Sequence, residues 1–407
     1  MNKTLHALCV CALSLCSATA WSQATSTTTT TTTPAAPAAA APAAAPTSPV
    51  STPSMEGPLT VNVKPENFDI PDFGKIYVSG AVTAIALADT PTWTGEKDGY
   101  ADISNAQVFI QKVDGVFQFF LDAGAYSFPT VGVPYTTAGN VNSATYGALP
   151  VGFVKVAPNS AFSIEAGKLP TLIGAEYAFT YENMDISRGL LWNQEPVVSR
   201  GVQANLTTGP VAWSVSWNDG FYSDRFNWGS AAATWTINSS NTLEVVGGAN
   251  FGTTDYGTSA TPEVVNNDKS IVNLIYGYTS GAWTAQAYYQ YADSGNSAQV
   301  GFKDTSSSGF GVLANYAVPS TSWNLSGRVE YISQSGTMGD NSADLLYGPG
   351  SDAWSFTFTP SYQVGVLFVR GEVSYVSASS VTPGLAFGKS GSNTSQTRFA
   401  LETGFLF

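Results

Sequence analysis

The chain's only histidine, His6, and all three of its cysteines, Cys9, Cys11 and Cys16, lie in the first sixteen residues. If that stretch leaves as an export signal, Ser-His-Asp and Cys-His catalysis, imidazole or thiolate metal centres, disulfides and the usual haem ligands are excluded. The chemistry that remains belongs to carboxylates and guanidinium groups. One set crowds residues 171–198: Glu176, Glu182, Asp185 and Glu195, with Arg188 among them. A second set recurs in three later segments as Arg328 and Glu330, Arg370 and Glu372, and Arg398 and Glu402. Charges so arranged, with no histidine or cysteine beside them, suit the electrostatic sorting of solutes rather than bond making, and no enzyme is expected. Asp340, Asn341 and Asp344 share a further loop, but their spacing departs from a calcium-binding loop and solvated acids are the expectation. No phosphate-cradling loop, dinucleotide fingerprint or basic nucleic-acid patch occurs, so no cofactor, metal or nucleic-acid partner is expected.

The elements that must hold these charges start with an export signal at 1–24. Lys3 supplies a thin positive start, Leu5 to Leu15 is an apolar stretch too short to span a bilayer, and Ala18-Thr19-Ala20 offers a small-x-small cleavage site. Leu15 before Cys16 is too large for a lipoprotein site. Residues 25–54 are almost entirely Thr, Ala, Pro and Ser, a disordered tether with too little apolar bulk to offset ordering entropy. A periplasmic lead-in is assigned to 55–72, and a single domain to 73–407.

Within 73–407, apolar and polar residues alternate. Trp283, Ala285, Ala287, Tyr289 and Tyr291 share one face, and Trp354, Phe356 and Phe358 share another. Period two means strands with one apolar and one polar side. Sixteen such segments start near residues 75, 102, 116, 150, 161, 200, 210, 229, 241, 269, 282, 309, 322, 353, 366 and 396, with 14 or 18 also compatible. Short turns alternate with longer loops around 88–99, 129–148, 171–198, 219–227, 253–268, 293–307, 334–351 and 378–394. An all-β, transmembrane, antiparallel up-and-down β-barrel has this layout, with short periplasmic turns and long extracellular loops. A soluble sandwich would alternate as well, but here Trp213, Trp283, Trp323 and Trp354 begin strands while Tyr291, Tyr331 and Tyr375 end them. That is a pair of aromatic girdles at two membrane surfaces. Only 11% of residues are charged, as expected where half of every strand meets lipid.

Strand parity puts Arg328, Glu330, Arg370, Glu372, Arg398 and Glu402 on polar faces. An Arg or Lys facing mid-membrane lipid costs about 2–4 kcal/mol, so these residues point into the lumen. Asp122, Lys155, Glu165 and Glu244 do so by the same test. Two readings stay open: an arginine ladder that faces the acids of 171–198 across the pore, or Arg and Glu bracing one another along the wall. The loop itself either folds inward or stays at the rim. Without the first 24 residues the chain keeps 15 basic and 29 acidic residues, a net charge of −14, which favours weak cation selectivity.

The last strand alternates Phe399, Leu401, Thr403, Phe405 and Phe407. This pattern resembles the C-terminal signature of outer-membrane proteins that the barrel-assembly machinery reads. The stretch Gly167-Lys168-Leu169-Pro170-Thr171-Leu172-Ile173-Gly174, continued by Tyr181-Glu182-Asn183, Ser187-Arg188-Gly189 and Arg200-Gly201-Val202, is similar to the OmpL-like putative β-barrel porin family. The resemblance implies a Gram-negative outer membrane, contact with its lipid and lipopolysaccharide, and passive diffusion of small hydrophilic solutes. By analogy with general porins it implies a third loop that narrows the pore, and a homotrimer. The competing reading is a barrel-anchored surface binding protein or adhesin without an open pore.

Overall fold

A computed structural model describes residues 49–50, 52–61, 64–252, 270–295 and 301–407. The export signal at 1–24, most of the 25–54 tether, and much of the loops expected at 253–268 and 293–307 lie outside the described residues. A short strand, β1 (Glu66–Ile70), pairs with the start of β2 (Gly74–Thr90). Then come β3 (Gly99–Lys112), β4 (Phe117–Tyr126), β5 (Val151–Asn159), β6 (Phe162–Pro170), β7 (Val198–Thr208) and β8 (Val211–Asn218). They are followed by β9 (Trp228–Asn238), β10 (Asn241–Asn250), β11 (Ser270–Ser280), β12 (Trp283–Asp293) and β13 (Ser306–Ala317). The series ends with β14 (Trp323–Gln334), β15 (Asp352–Val364), β16 (Leu367–Ser379) and β17 (Ser395–Leu406). One short α-helix, α1 (Ala138–Ala144), is found among the described residues, in the loop after β4, and two single-turn 3-10 helices, Thr180–Glu182 and Trp192–Gln194, lie between β6 and β7.

Each strand from β2 to β17 pairs antiparallel with the next, and β17 pairs back onto β2 from Thr397↔Thr90 to Leu406↔Ala81. Sixteen strands therefore close a barrel, and closure removes every sheet edge that lipid could not satisfy. The sixteen expected strands are these; β1 is the addition. It is five residues long with only Phe68 and Ile70 to mark its period, too few to separate it from a loop.

Why the barrel stands in a bilayer is visible in the parity of exposure. Along β15, Trp354, Phe356 and Phe358 face out while Ser355, Thr357 and Thr359 are buried inside. At the short-turn end, Trp283 meets Tyr316 (4.8 Å) and Trp323 meets Tyr362 (5.0 Å), each pair with tilted rings. At the other end Trp354 meets Tyr331 (4.9 Å) and Phe310 (5.7 Å). Trp323 and Tyr331 are eight residues apart on β14, about 27 Å of extended chain, so the two clusters bracket a hydrocarbon-thick band. Short turns keep the ladder tight: Gly209, Gly281 and Gly365 take φ of +57°, +58° and +59°, where a β-carbon would be strained.

Candidate functional site: a loop strapped inside the barrel

The residues joining β6 to β7, 171–197, do not stay at the rim. Thr171 N–H donates to the Val197 carbonyl (3.0 Å) and closes the base of the loop, and the rest enters the lumen. Met184, Leu190 and Leu191 are buried there against the inward residues Leu313, Ile332 and Val376. A loop in such a place must satisfy its backbone without bulk water. Part of the solution is local: the Asn183 side chain accepts from Tyr177 N–H (2.7 Å) and donates to the Phe179 carbonyl (2.7 Å), while Glu182 accepts from Phe179 N–H (3.0 Å).

The remainder comes from the barrel wall. Glu372 on β16 accepts from Ile186 and Ser187 N–H (2.6 and 3.0 Å), and Glu330 on β14 accepts from Leu190 and Leu191 N–H (2.9 and 3.3 Å). Arg370 donates to the carbonyls of Thr180 and Asn183 and holds Glu402 of β17 with two bonds of 2.9 and 2.7 Å. Arg328 donates to the Ser187 carbonyl (2.8 Å) and pairs with loop Glu176 (2.6 Å) and wall Glu330 (3.1 Å). Asp185 lies 3.8 Å from the same guanidinium. Arg398 turns instead to the loop after β4: it pairs with Asp89 (2.7 Å) and donates to the carbonyls of Thr130 and Val133 (2.6 and 2.9 Å). That loop is tied to the first, because Arg188 N–H donates to the Pro129 carbonyl and Val131 N–H to the Arg188 carbonyl, both at 2.9 Å.

The fit leaves no room at Gly189. A β-carbon there would lie 2.0 Å from a Glu330 carboxylate oxygen. Gly189→Ala should therefore break the Glu330 clamp on Leu190 and lower stability by about 2 kcal/mol or more, as when a buried acceptor loses its donors. Unfolding titrations in detergent check this, and an unchanged midpoint would mean that the loop is not clamped at Glu330.

These contacts rearrange the sequence expectation. Arg328, Arg370 and Arg398 do face inward, but they sit at the junction of loop and wall and do not look across open lumen. The physical reason is backbone demand: a buried loop offers carbonyls, and guanidinium donors answer them at short range. Arg188 is fully buried, with its guanidinium 5.5 Å from the Trp192 ring. Glu195 and Asp185 are enclosed within the loop's packing, whereas Glu176 and Glu182 reach a cavity. Burial, the largest influence, raises Glu176 to about 7 against the pull of Arg328, and raises Glu182 to about 8. Of the other inward charges, Lys155 pairs with Glu165 (3.0 Å), Asp122 accepts from Gln107 (2.7 Å) and Glu244 accepts from Thr234 (2.7 Å). In the loop with Asn341, Asp340 accepts from Ser342 N–H and Asp344 from Gly348 N–H, at 3.0 and 2.8 Å.

Two parts of the site escaped the sequence reading. Asp89 could have been found, since it sits directly opposite Arg398 in the pair that closes the barrel. Residues 52–61 could not. Assigned to tether and lead-in, they in fact run inside the barrel: Leu59 and Val61 pack with Phe109, Phe120 and Tyr181, and the backbone N–H groups of Glu56 and Gly57 donate to the Glu182 carbonyl (2.9 and 3.2 Å). A cavity of about 410 Å³ lies between this segment, the loop 171–197, and the walls made by β4 to β6 and β10 to β12, and a second of about 490 Å³, which Lys155 lines, lies at the short-turn end of β4 to β7. The carboxylates of Asp122, Glu165, Glu176, Glu182 and Glu244 line the first, and neither Lys nor Arg does.

A closed sixteen-strand barrel with an apolar belt, aromatic girdles and an infolded third loop defines an outer-membrane porin. The chain belongs to the family described as "Putative beta-barrel porin-2, OmpL-like", whose model matches residues 75–407. No curated protein matches the sequence. Among solved structures, the fold is similar to OmpT, an outer membrane protein of Vibrio cholerae, with a TM-score of 0.53 at 12% identity over 84% of this chain and 100% of that one. It is also similar to an anion-selective porin from Comamonas acidovorans, with a TM-score of 0.54 at 10% identity over 82% of this chain and 99% of that one.

Proposed function

We propose that this porin passes small hydrophilic solutes and ions by passive diffusion, with weak cation selectivity and no enzymatic step. The observation that carries the reading is the charge of the cavity beside loop 171–197. Every arginine on the inner wall of β14, β16 and β17 is engaged in holding a loop, and the charged residues lining the cavity on the opposite side are all acids, of which Glu165 and Glu176 are matched by Lys155 and Arg328. Fixed negative charge in a narrow, poorly screened passage favours cations. Partial protonation of Glu176 and Glu182 near neutrality keeps the preference weak.

Planar bilayers under a KCl gradient should show stepwise conductance with a reversal potential of cation sign. As pH falls through the neutral range, Glu182 and Glu176, both raised by burial, take up protons, and the cation preference should shrink. Anion preference, or a preference that grows on acidification, would overturn the selectivity. The filled lumen favours the second reading, a barrel that anchors surface loops for binding, and the absence of any conductance steps would select it. The same proposal gives the exposed belt lipid and lipopolysaccharide as neighbours, and gives the outward residues Phe399, Leu401, Phe405 and Phe407 of the closing strand to the assembly machinery. It includes a homotrimer, a state recorded for Vibrio cholerae OmpT.

A further inference from the structure

We propose that the cavity beside loop 171–197 is a binding station for organic polycations, aliphatic chains that carry two or more ammonium groups. The inference rests on the channel reading above and names the solute class that the passage would hold. Of its five carboxylates, Glu165 is matched by Lys155 and Glu176 by Arg328. Asp122, Glu182 and Glu244 make no salt bridge among the described residues. Asp122 is 1% exposed, and while one of its oxygens accepts from Gln107, the other, Oδ1, has no partner. A buried carboxylate oxygen left without a donor is costly and marks a place for one.

The three unmatched acids come from β4, the infolded loop and β10, different walls of one chamber. Among the described residues no three His, Cys, Asp or Glu side chains stand close enough to hold a metal ion. Separated carboxyl groups suit an extended ligand whose own charges are separated, because each ammonium group favours the ionised form of the acid it meets. Phe120 and Phe153, with ring centroids 5.8 Å apart, and Phe179 from the loop supply apolar faces on the same chamber. Such faces accept methylene chains and attract ammonium groups. The volume of about 410 Å³ is that of a small-molecule site.

Spermidine added to KCl on one side of a bilayer holding the full protein should interrupt the potassium current, whereas equal concentrations of sucrose or Mg²⁺ should not. Asp122→Asn and Glu244→Gln should each raise the half-blocking concentration by about tenfold, the scale of one charge-assisted contact. Block by Mg²⁺ at the same concentration, or no block by spermidine, would overturn the proposal. Calorimetric titration of spermidine into the detergent-solubilised protein separates it from the channel reading. Heat of binding without conductance steps supports the station and removes the channel; conductance steps without heat do the reverse.

Discussion

An Arg370→Ala variant is expected to lose about 3–5 kcal/mol of stability, as when one partner is removed from a buried ion pair, and to conduct in larger steps. The Arg370 and Glu402 side chains are fully buried, and the guanidinium serves two masters: the wall carboxylate through two bonds, and the loop through the Thr180 and Asn183 carbonyls. Truncation leaves Glu402 with only the hydroxyls of Ser104 and Thr180, leaves the Asn183 carbonyl without its donor, and leaves the Thr180 carbonyl with Asn183 N–H alone (3.2 Å) in a poorly hydrated place. The barrel ladder itself does not pass through these side chains, so the strands persist while the loop loosens.

A second variant separates the two effects. Arg370→Leu with Glu402→Leu removes both charges at once, and such replacements of buried pairs are often neutral or stabilising. The loop still lacks both Arg370 bonds, and the Asn183 carbonyl stays unanswered, so unfolding midpoints should recover while step size stays large. Arg370→Lys keeps the charge without the planar fork and should fall between. Equilibrium refolding into lipid vesicles reads the first quantity and planar bilayers the second. An Arg370→Ala protein with wild-type step size would show that the loop is held elsewhere.

The strands were legible because a bilayer enforces period two with unusual strictness. Expected starts near 75, 150, 210, 282 and 366 meet observed starts at Gly74, Val151, Val211, Trp283 and Leu367. Parity also told correctly which side Arg328, Arg370 and Arg398 occupy. It could not tell what they would meet, because parity reports a face and not its neighbour. Besides the carboxylates of Glu176, Glu402 and Asp89, the inward charges of these strands meet backbone groups far away in sequence: Glu372 meets Ile186 N–H, and Glu330 meets Leu190 N–H. Such contacts leave no composition signal, since any loop residue has an N–H to offer. Segment 52–61 was hidden for a related reason. Its sequence, mostly small and polar with Met55, Leu59 and Val61 as the apolar exceptions, has no period, and its place inside the barrel depends on a cavity that only the closed fold creates.

That segment carries the other large expected effect. In-frame deletion of residues 52–61 should raise unit conductance by about twofold or more, the result of clearing an obstruction from a narrow pore. The segment is held at both ends. The Gln363 side chain clamps Thr60, accepting from its N–H and donating to its carbonyl, each at 2.8 Å, and Gln111 donates to the Thr52 carbonyl at 2.7 Å. Leu59 and Val61, on either side of Thr60, fill apolar space beside Phe368 and Leu406, and burial of each stabilises by about 1.5–3 kcal/mol. The deletion thus costs some stability but removes no ladder pair of β2 to β17. Gly57→Trp tests the same point without shortening the chain: a β-carbon at Gly57 would sit 2.2 Å from the Asn183 carbonyl oxygen, so any side chain must push segment and loop apart. If deletion and substitution both widen the steps, the segment stands in the ion path. If neither does, ions pass along the β4 to β6 wall and leave the segment to one side, and the acids of that wall must then account for the selectivity alone.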